Sequence, residues 1–141
     1  MFNTKRVVAE EAKRNPRFIL LHQFIDRSSG RKAKPYYINT EYISFALRGS
    51  VDAGCMMADG SYVDMIPEEF DEIAKKLGNR GVKGICERYD NYRNTFKLEA
   101  ILNIDYLLWW NVDTEEFKLF GQSEEYEFKF DIEEVKQALE S

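Results

Sequence analysis

Twice in this chain an alternating apolar strand runs without a spacer into an acidic amphipathic helix. Residues 61–74 read Ser-Tyr-Val-Asp-Met-Ile-Pro-Glu-Glu-Phe-Asp-Glu-Ile-Ala, and residues 125–138 read Glu-Tyr-Glu-Phe-Lys-Phe-Asp-Ile-Glu-Glu-Val-Lys-Gln-Ala. One inserted residue aligns the two helices. A strand buries one face with a period of two and a helix buries one stripe with a period of about 3.6, so both segments must close onto a sheet. The echo predicts an α+β fold, antiparallel and β-rich, with two amphipathic helices closing two β-β-α modules. The first module spans residues 1–78 and carries a basic arm and loop. The second spans residues 79–141 and is acidic. They share one core or pack as two lobes, and duplication and chance recurrence explain the echo equally well.

Local signals fill in the elements. Residues 17–25 form a nearly continuous apolar strand, followed by a basic, Gly/Ser-containing hairpin loop over 26–34. Residues 35–38 resume an extended, Tyr-rich run, and 42–47 make another strand. Asp59-Gly60 is a hairpin turn between strands at 51–57 and 61–66, because Asp-Gly tolerates positive φ. Pro67 opens a helix in which Phe70, Ile73, Ala74 and Leu77 share a face, with Gly78 as its cap. Residues 78–94 are turn-rich. Residues 96–104 alternate as a strand, although Leu98, Ile101 and Leu102 also suit a helix. A second hairpin turns at 113–115, and Asp131 with Glu134 begins a final helix. Residues 4–15 predict a short N-terminal helix with a weak apolar face, stopped at Asn15-Pro16.

The chain has 141 residues, 44% hydrophobic and 32% charged, which suits one globular domain and argues against disorder. Two cysteines, Cys55 and Cys86, are too few for a disulfide framework, and one histidine, His22, cannot complete a zinc set with them. Buried reduced thiols in a cytoplasmic protein are the expectation. No apolar run approaches the roughly 20 residues of a membrane helix, and no apolar stretch follows the charges at the N-terminus. Neither a metal nor a cofactor is expected.

Charge is unevenly spread. Residues 1–35 carry nine Lys/Arg against three Asp/Glu, while residues 113–141 carry three against ten. Ends of opposite sign can meet within one fold, between copies as a homo-oligomer, or with two different partners.

Residues 18–77 resemble the small FlbD-type flagellar proteins in layout. The matching features are the strand Phe18-Ile19-Leu20-Leu21, Tyr37-Ile38-Asn39 with Ile43, and the Asp59-Gly60 hairpin. Tyr62-Val63 and the helix opening Glu68-Glu69-Phe70-Asp71-Glu72-Ile73 complete them. The basic loop at 28–34 and everything after Gly78 depart from that family. The resemblance implies a small β-rich module that acts by contact, and it carries over no functional residue.

Reactive motifs are missing: no Walker phosphate loop, dinucleotide fingerprint, HExxH, CxxC or GxSxG occurs. A Cys/His site would need His22 beside Cys55 or Cys86 in space. The carboxylates at Glu68, Glu69, Asp71 and Glu72, and at Glu133 and Glu134, read as solvated helix faces. Trp109-Trp110 lies on an alternating strand, so the rings should point to opposite faces: one enters the core, and the other is either exposed, where Trp is a recurrent interaction anchor, or covered by a helix.

The leading expectation is a non-enzymatic protein-binding module of bacterial or phage origin, an adaptor or inhibitor. Its acidic half would occupy a basic groove on a nucleic-acid-handling protein as a phosphate backbone would. Trp109, Trp110, Glu124, Glu125 and Glu127 are the candidate contacts. The alternative is a small nucleic-acid-binding regulator using Arg80, Lys83, Arg88, Tyr89, Tyr92 and Arg93, with cations for phosphates and rings for bases. The glycines Gly78, Gly81 and Gly84 would let the backbone approach such a partner closely; the competing explanation is an inter-module linker whose charges merely keep it solvated.

Overall fold

The computed structural model describes residues 18–26, 31–50, 52–89, 94–123 and 125–140. The helix expected over residues 4–15 lies outside them. The chain is an α+β protein with antiparallel pairing throughout. Strands β1 (Phe18–Asp26) and β2 (Arg31–Asn39) form a hairpin. A 3-10 turn (Thr40–Tyr42) leads to β3 (Ile43–Arg48), β4 (Ala53–Met57) and β5 (Tyr62–Met65). A second 3-10 turn (Pro67–Glu69) enters helix α1 (Phe70–Leu77). After a third turn (Gly78–Arg80) the order repeats: β6 (Gly81–Tyr89), β7 (Thr95–Asn103), a 3-10 turn (Ile104–Tyr106), β8 (Leu107–Trp110), β9 (Phe117–Leu119), β10 (Tyr126–Phe130) and α2 (Ile132–Glu140).

Residues 18–77 and 81–140 thus run through nearly one succession of elements twice, two strands, a 3-10 turn, three strands and a helix, with a further 3-10 turn before the helix in the first half. Small details repeat with it. Asn39 Oδ1 accepts the Glu41 N–H at 3.0 Å and Asn103 Oδ1 accepts that of Asp105 at 3.1 Å, each starting the 3-10 turn that follows. Ala58 N–H donates to Tyr42 O, and Phe120 N–H donates to Tyr106 O. The two turns that follow use Gly60 (φ 89°) and Gly121 (φ 78°).

Turn and cap chemistry acts where the residues require it. Asp59 Oδ1 accepts the Ser61 N–H at 2.9 Å, an Asx turn that Gly60 completes. Asp131 Oδ1 takes the N–H groups of Glu133 at 2.9 Å and Glu134 at 3.3 Å, satisfying two orphan donors of α2. Pro67 opens the 3-10 turn, and the α-helix begins only at Phe70.

A six-stranded sheet in the order β10-β6-β7-β3-β4-β5 runs through the molecule. Its two halves join at a β3–β7 seam of four pairs, from Phe45 with Leu102 to Arg48 with Glu99. One face carries the β1–β2 hairpin and α1, enclosing Leu21, Ile43, Ala46, Met65, Ile73 and Ile101. The other face carries α2 and the β8–β9 hairpin, enclosing Phe45, Leu47, Met56, Leu102, Leu119 and Val135. Each cluster draws on both halves. Strand β3 is buried on both faces, so its apolar residues run nearly without a break.

Two expectations need correction. Residues 78–94, read as a turn-rich linker, hold β6, which pairs with β7 and β10 on its two edges. The basic hairpin loop of 26–34 is shorter than expected, because β2 already begins at Arg31.

Candidate functional site

In the first half, β4 continues into β5 through a ladder of four residue pairs, Ala53 with Met65 to Met56 with Tyr62. The second half has the same strands in the same order, but among the described residues β9 pairs only with β8, and β10 pairs with β6 instead. Where a β9–β10 ladder would run, a groove of about 460 Å³ opens. Residues 114–117 form one wall and β10 the other, with Trp109, Gln122 and Ile132 completing the lining.

The walls meet through aromatic rings and, at one end, through the Gln122 amide, which accepts the Leu119 N–H at 3.0 Å and donates to the Tyr126 carbonyl at 3.2 Å. Phe117 stands 5.4 Å from Phe130 and 6.3 Å from Phe128, centroid to centroid. Tyr126, Phe128 and Phe130 follow one another along one face of β10, with Phe128 and Phe130 stacked at 5.7 Å. Glu115, Glu116, Glu127 and Lys129 are the charged residues of the lining, three acidic against one basic. The Lys129 amine already meets Glu87 at 3.7 Å. The Tyr89 hydroxyl donates to Glu127 Oε2 at 2.9 Å, which keeps the phenol protonated to higher pH than usual.

Of the five candidate contacts, Trp109 and Glu127 line this groove. Trp109 is 50% exposed. Trp110 packs against the second core cluster, and its Nε1 is enclosed without an acceptor among the described residues. Glu125 is exposed and accepts from the Ser123 hydroxyl at 3.2 Å. Glu124 lies outside the described residues.

Four residues of the alternative set, Arg80, Lys83, Arg88 and Tyr89, are among the described residues. Arg80 pairs with Asp105 at 3.0 Å. The Arg88 guanidinium lies 5.9 Å from the centre of the Tyr126 ring. Lys83 and Arg88, five apart on one strand, point to opposite sides of it. Tyr92 and Arg93 lie outside the described residues. The glycines of this stretch serve the chain's own packing. A side chain at Gly84 would collide with the Phe130 ring and the Lys129 carbonyl, and one at Gly81 would press on Leu77 and Ile101.

A second feature went unread in the sequence. Glu69, expected on a solvated helix face, is 5% exposed. One carboxylate oxygen accepts the His22 backbone N–H at 2.7 Å and the other meets His22 Nδ1 at 3.0 Å. The 3-10 turn at Pro67–Glu69 rotates Glu69 out of phase with the exposed Asp71 and Glu72. Cys55 is wholly buried, its Sγ 3.9 Å from Met65 Sδ. Burial first, and then the Glu69 charge, hold the Cys55 thiol far above the ordinary range. Burial pushes the Cys86 thiol up to about 12. Among the described residues no three His, Cys, Asp or Glu side chains gather as a metal set, and no helix is long and apolar enough to cross a membrane.

Comparison with protein-family models, with curated proteins and with solved structures finds no match for this chain.

Proposed function

We propose that the chain is a non-enzymatic protein-binding module, an adaptor or inhibitor, that takes a basic segment of another protein into the groove between β9 and β10. The observation that carries this reading is the pairing of an aromatic lining with an acidic surplus in one opening. Trp109, Phe117 and Phe130 offer apolar area and ring faces that attract ammonium and guanidinium groups. Glu115 and Glu116 supply complementary charge beside the rings, and Glu127, which accepts from Tyr89, adds to it from the other face of β10, while Lys129 is engaged by Glu87. Rigid aromatic anchors ringed by charge are the usual make-up of a binding hot spot. A basic partner surface also suits the acidic-mimicry reading of the C-terminal half, in which the module competes with nucleic acid for its target.

The test is selection of random dodecapeptides on the immobilised protein, with the Trp109→Ala/Glu127→Lys double variant as counter-target. Enrichment of Lys/Arg-rich peptides that the double variant no longer holds is the expected outcome. Failure to enrich any sequence, or enrichment of peptides held equally by the double variant, would remove this reading.

A further inference from the structure

Among the described residues strand β10 is paired on one edge only, with β6. Tyr89 N–H donates to Glu125 O at 3.1 Å, which sets the phase of the β6–β10 ladder. In antiparallel pairing the hydrogen-bonded positions alternate, so the backbone groups of residues 125, 127 and 129 turn toward β6. Those of Tyr126, Phe128 and Phe130 turn away, toward the groove. Tyr126 is taken up locally, its N–H by Ser123 O and its carbonyl by Gln122 Nε2, each at 3.2 Å. Among the described residues no such bond takes up the backbone of Phe128 or the Phe130 N–H. The opposite wall carries β9, whose strand pairing among the described residues is with β8. Its Leu119 N–H is taken by Gln122 Oε1 at 3.0 Å and its Leu119 carbonyl by the Gln122 N–H at 3.2 Å, so Gln122 closes the Tyr126 end of the slot and leaves the Phe128–Phe130 end open.

The first half shows what belongs in such a place, because there the equivalent strands β4 and β5 close directly on each other. The second half has kept the strands and lost the ladder. We infer that the groove is an acceptor slot for a strand, and that a basic segment of a partner protein docks by adding an extended strand to the free edge of β10. This rests on the protein-binding reading above and gives it a mode of recognition.

Strand addition makes a specific demand on the partner. Alternate side chains of an added strand point to opposite faces. One row would lie beside the rings of Tyr126, Phe128 and Phe130, and the other beside Glu127, whose side chain is on the opposite face of β10. The segment should therefore alternate aliphatic and cationic residues. The charge surplus of the lining selects a cationic over an acidic strand.

The test uses the octapeptide Lys-Val-Lys-Val-Lys-Val-Lys-Val, titrated into the full chain while Trp fluorescence and amide hydrogen exchange are followed. Saturable binding should slow exchange at the Phe128 and Phe130 amides at least tenfold. N-methylation of every valine or of every lysine should separate the two peptides, one set abolishing binding and the other leaving it within about threefold. Binding that leaves those two amides unprotected and tolerates both methylated sets would overturn strand addition while leaving a basic-segment groove in place. No binding of the peptide would overturn both. Protection of the same amides that rises with protein concentration, without peptide, would assign the slot to a second copy of the chain and overturn the foreign partner.

Discussion

Asn103 donates its Nδ2 to the Ile43 carbonyl at 2.9 Å, and by that bond the second half of the chain holds the first beside the seam. The same side chain caps its own 3-10 turn at Asp105, and it is fully buried. Its counterpart Asn39 caps Glu41 from a partly exposed position. Loss of a buried polar partner costs the desolvation of every group left behind. Asn103→Ala should therefore cost about 2–4 kcal/mol and Asn39→Ala about 1 kcal/mol. Urea denaturation of the two variants checks the order, and equal costs would show that the Ile43 bond adds nothing.

Glu69 joins the entry of α1 to β1 through its two contacts with His22. Glu69→Ala strands the His22 N–H and should cost about 1–3 kcal/mol, whereas Glu69→Gln keeps an acceptor there and should cost less. His22→Ala removes only the ring contact and should be the mildest of the three. Thermal melts of the three variants give the ranking.

The two thiols make stability fall in alkali. Folding raises both above the ordinary 9.0, Cys86 to about 12 and Cys55 further. Between the unfolded and folded values the unfolded chain has lost the proton and the folded chain has kept it, so unfolding gains with rising pH. Stability is fully present below about pH 9 and drops above it, by at most about 1.4 kcal/mol per pH unit for each thiol. Cys86→Ala lowers stability at pH 7 but should flatten the slope between pH 9 and 11. Denaturation midpoints across that range provide the measurement, and an unchanged slope would contradict the assignment.

Gly84 is the position on which β10 depends. Its missing side chain is where the Phe130 ring and the Lys129 carbonyl sit, and it lies opposite Phe130 in the register. Gly84→Ala must push the backbone of β10 away from β6, at about 1–3 kcal/mol. Nuclear magnetic resonance shifts should change along residues 126–130 and at Phe117, while residues around Asp59 stay as they were.

Much of this architecture is legible locally. Asp59-Gly60 marks its turn, Phe70, Ile73 and Leu77 are all buried as their spacing requires, and Asp131 caps α2. What escapes is set by partners distant in sequence. β6 reads as a linker because Gly81 and Gly84 interrupt its pattern, yet a ring from β10 fills the space above Gly84. Glu69 reads as solvated until the 3-10 turn carries it to His22, 47 residues away. The repeat itself had a visible sign, Asn39-Thr40-Glu41-Tyr42-Ile43 against Asn103-Ile104-Asp105-Tyr106-Leu107, which strand-and-helix grammar alone passes over. The groove had none, since it arises from a pairing that β9 and β10 do not make.

The seam between β3 and β7 makes the covalent link at 78–80 a tether and not a brace. A chain cleaved there yields two pieces, each bearing an open strand edge that only the other completes. Ile101 is the missing wall of one hydrophobic cluster, and Phe45, Leu47 and Met56 are that of the other. Such pieces should be inert apart and reassemble when mixed, so the molecule can be treated as an internal heterodimer that happens to be encoded in one reading frame.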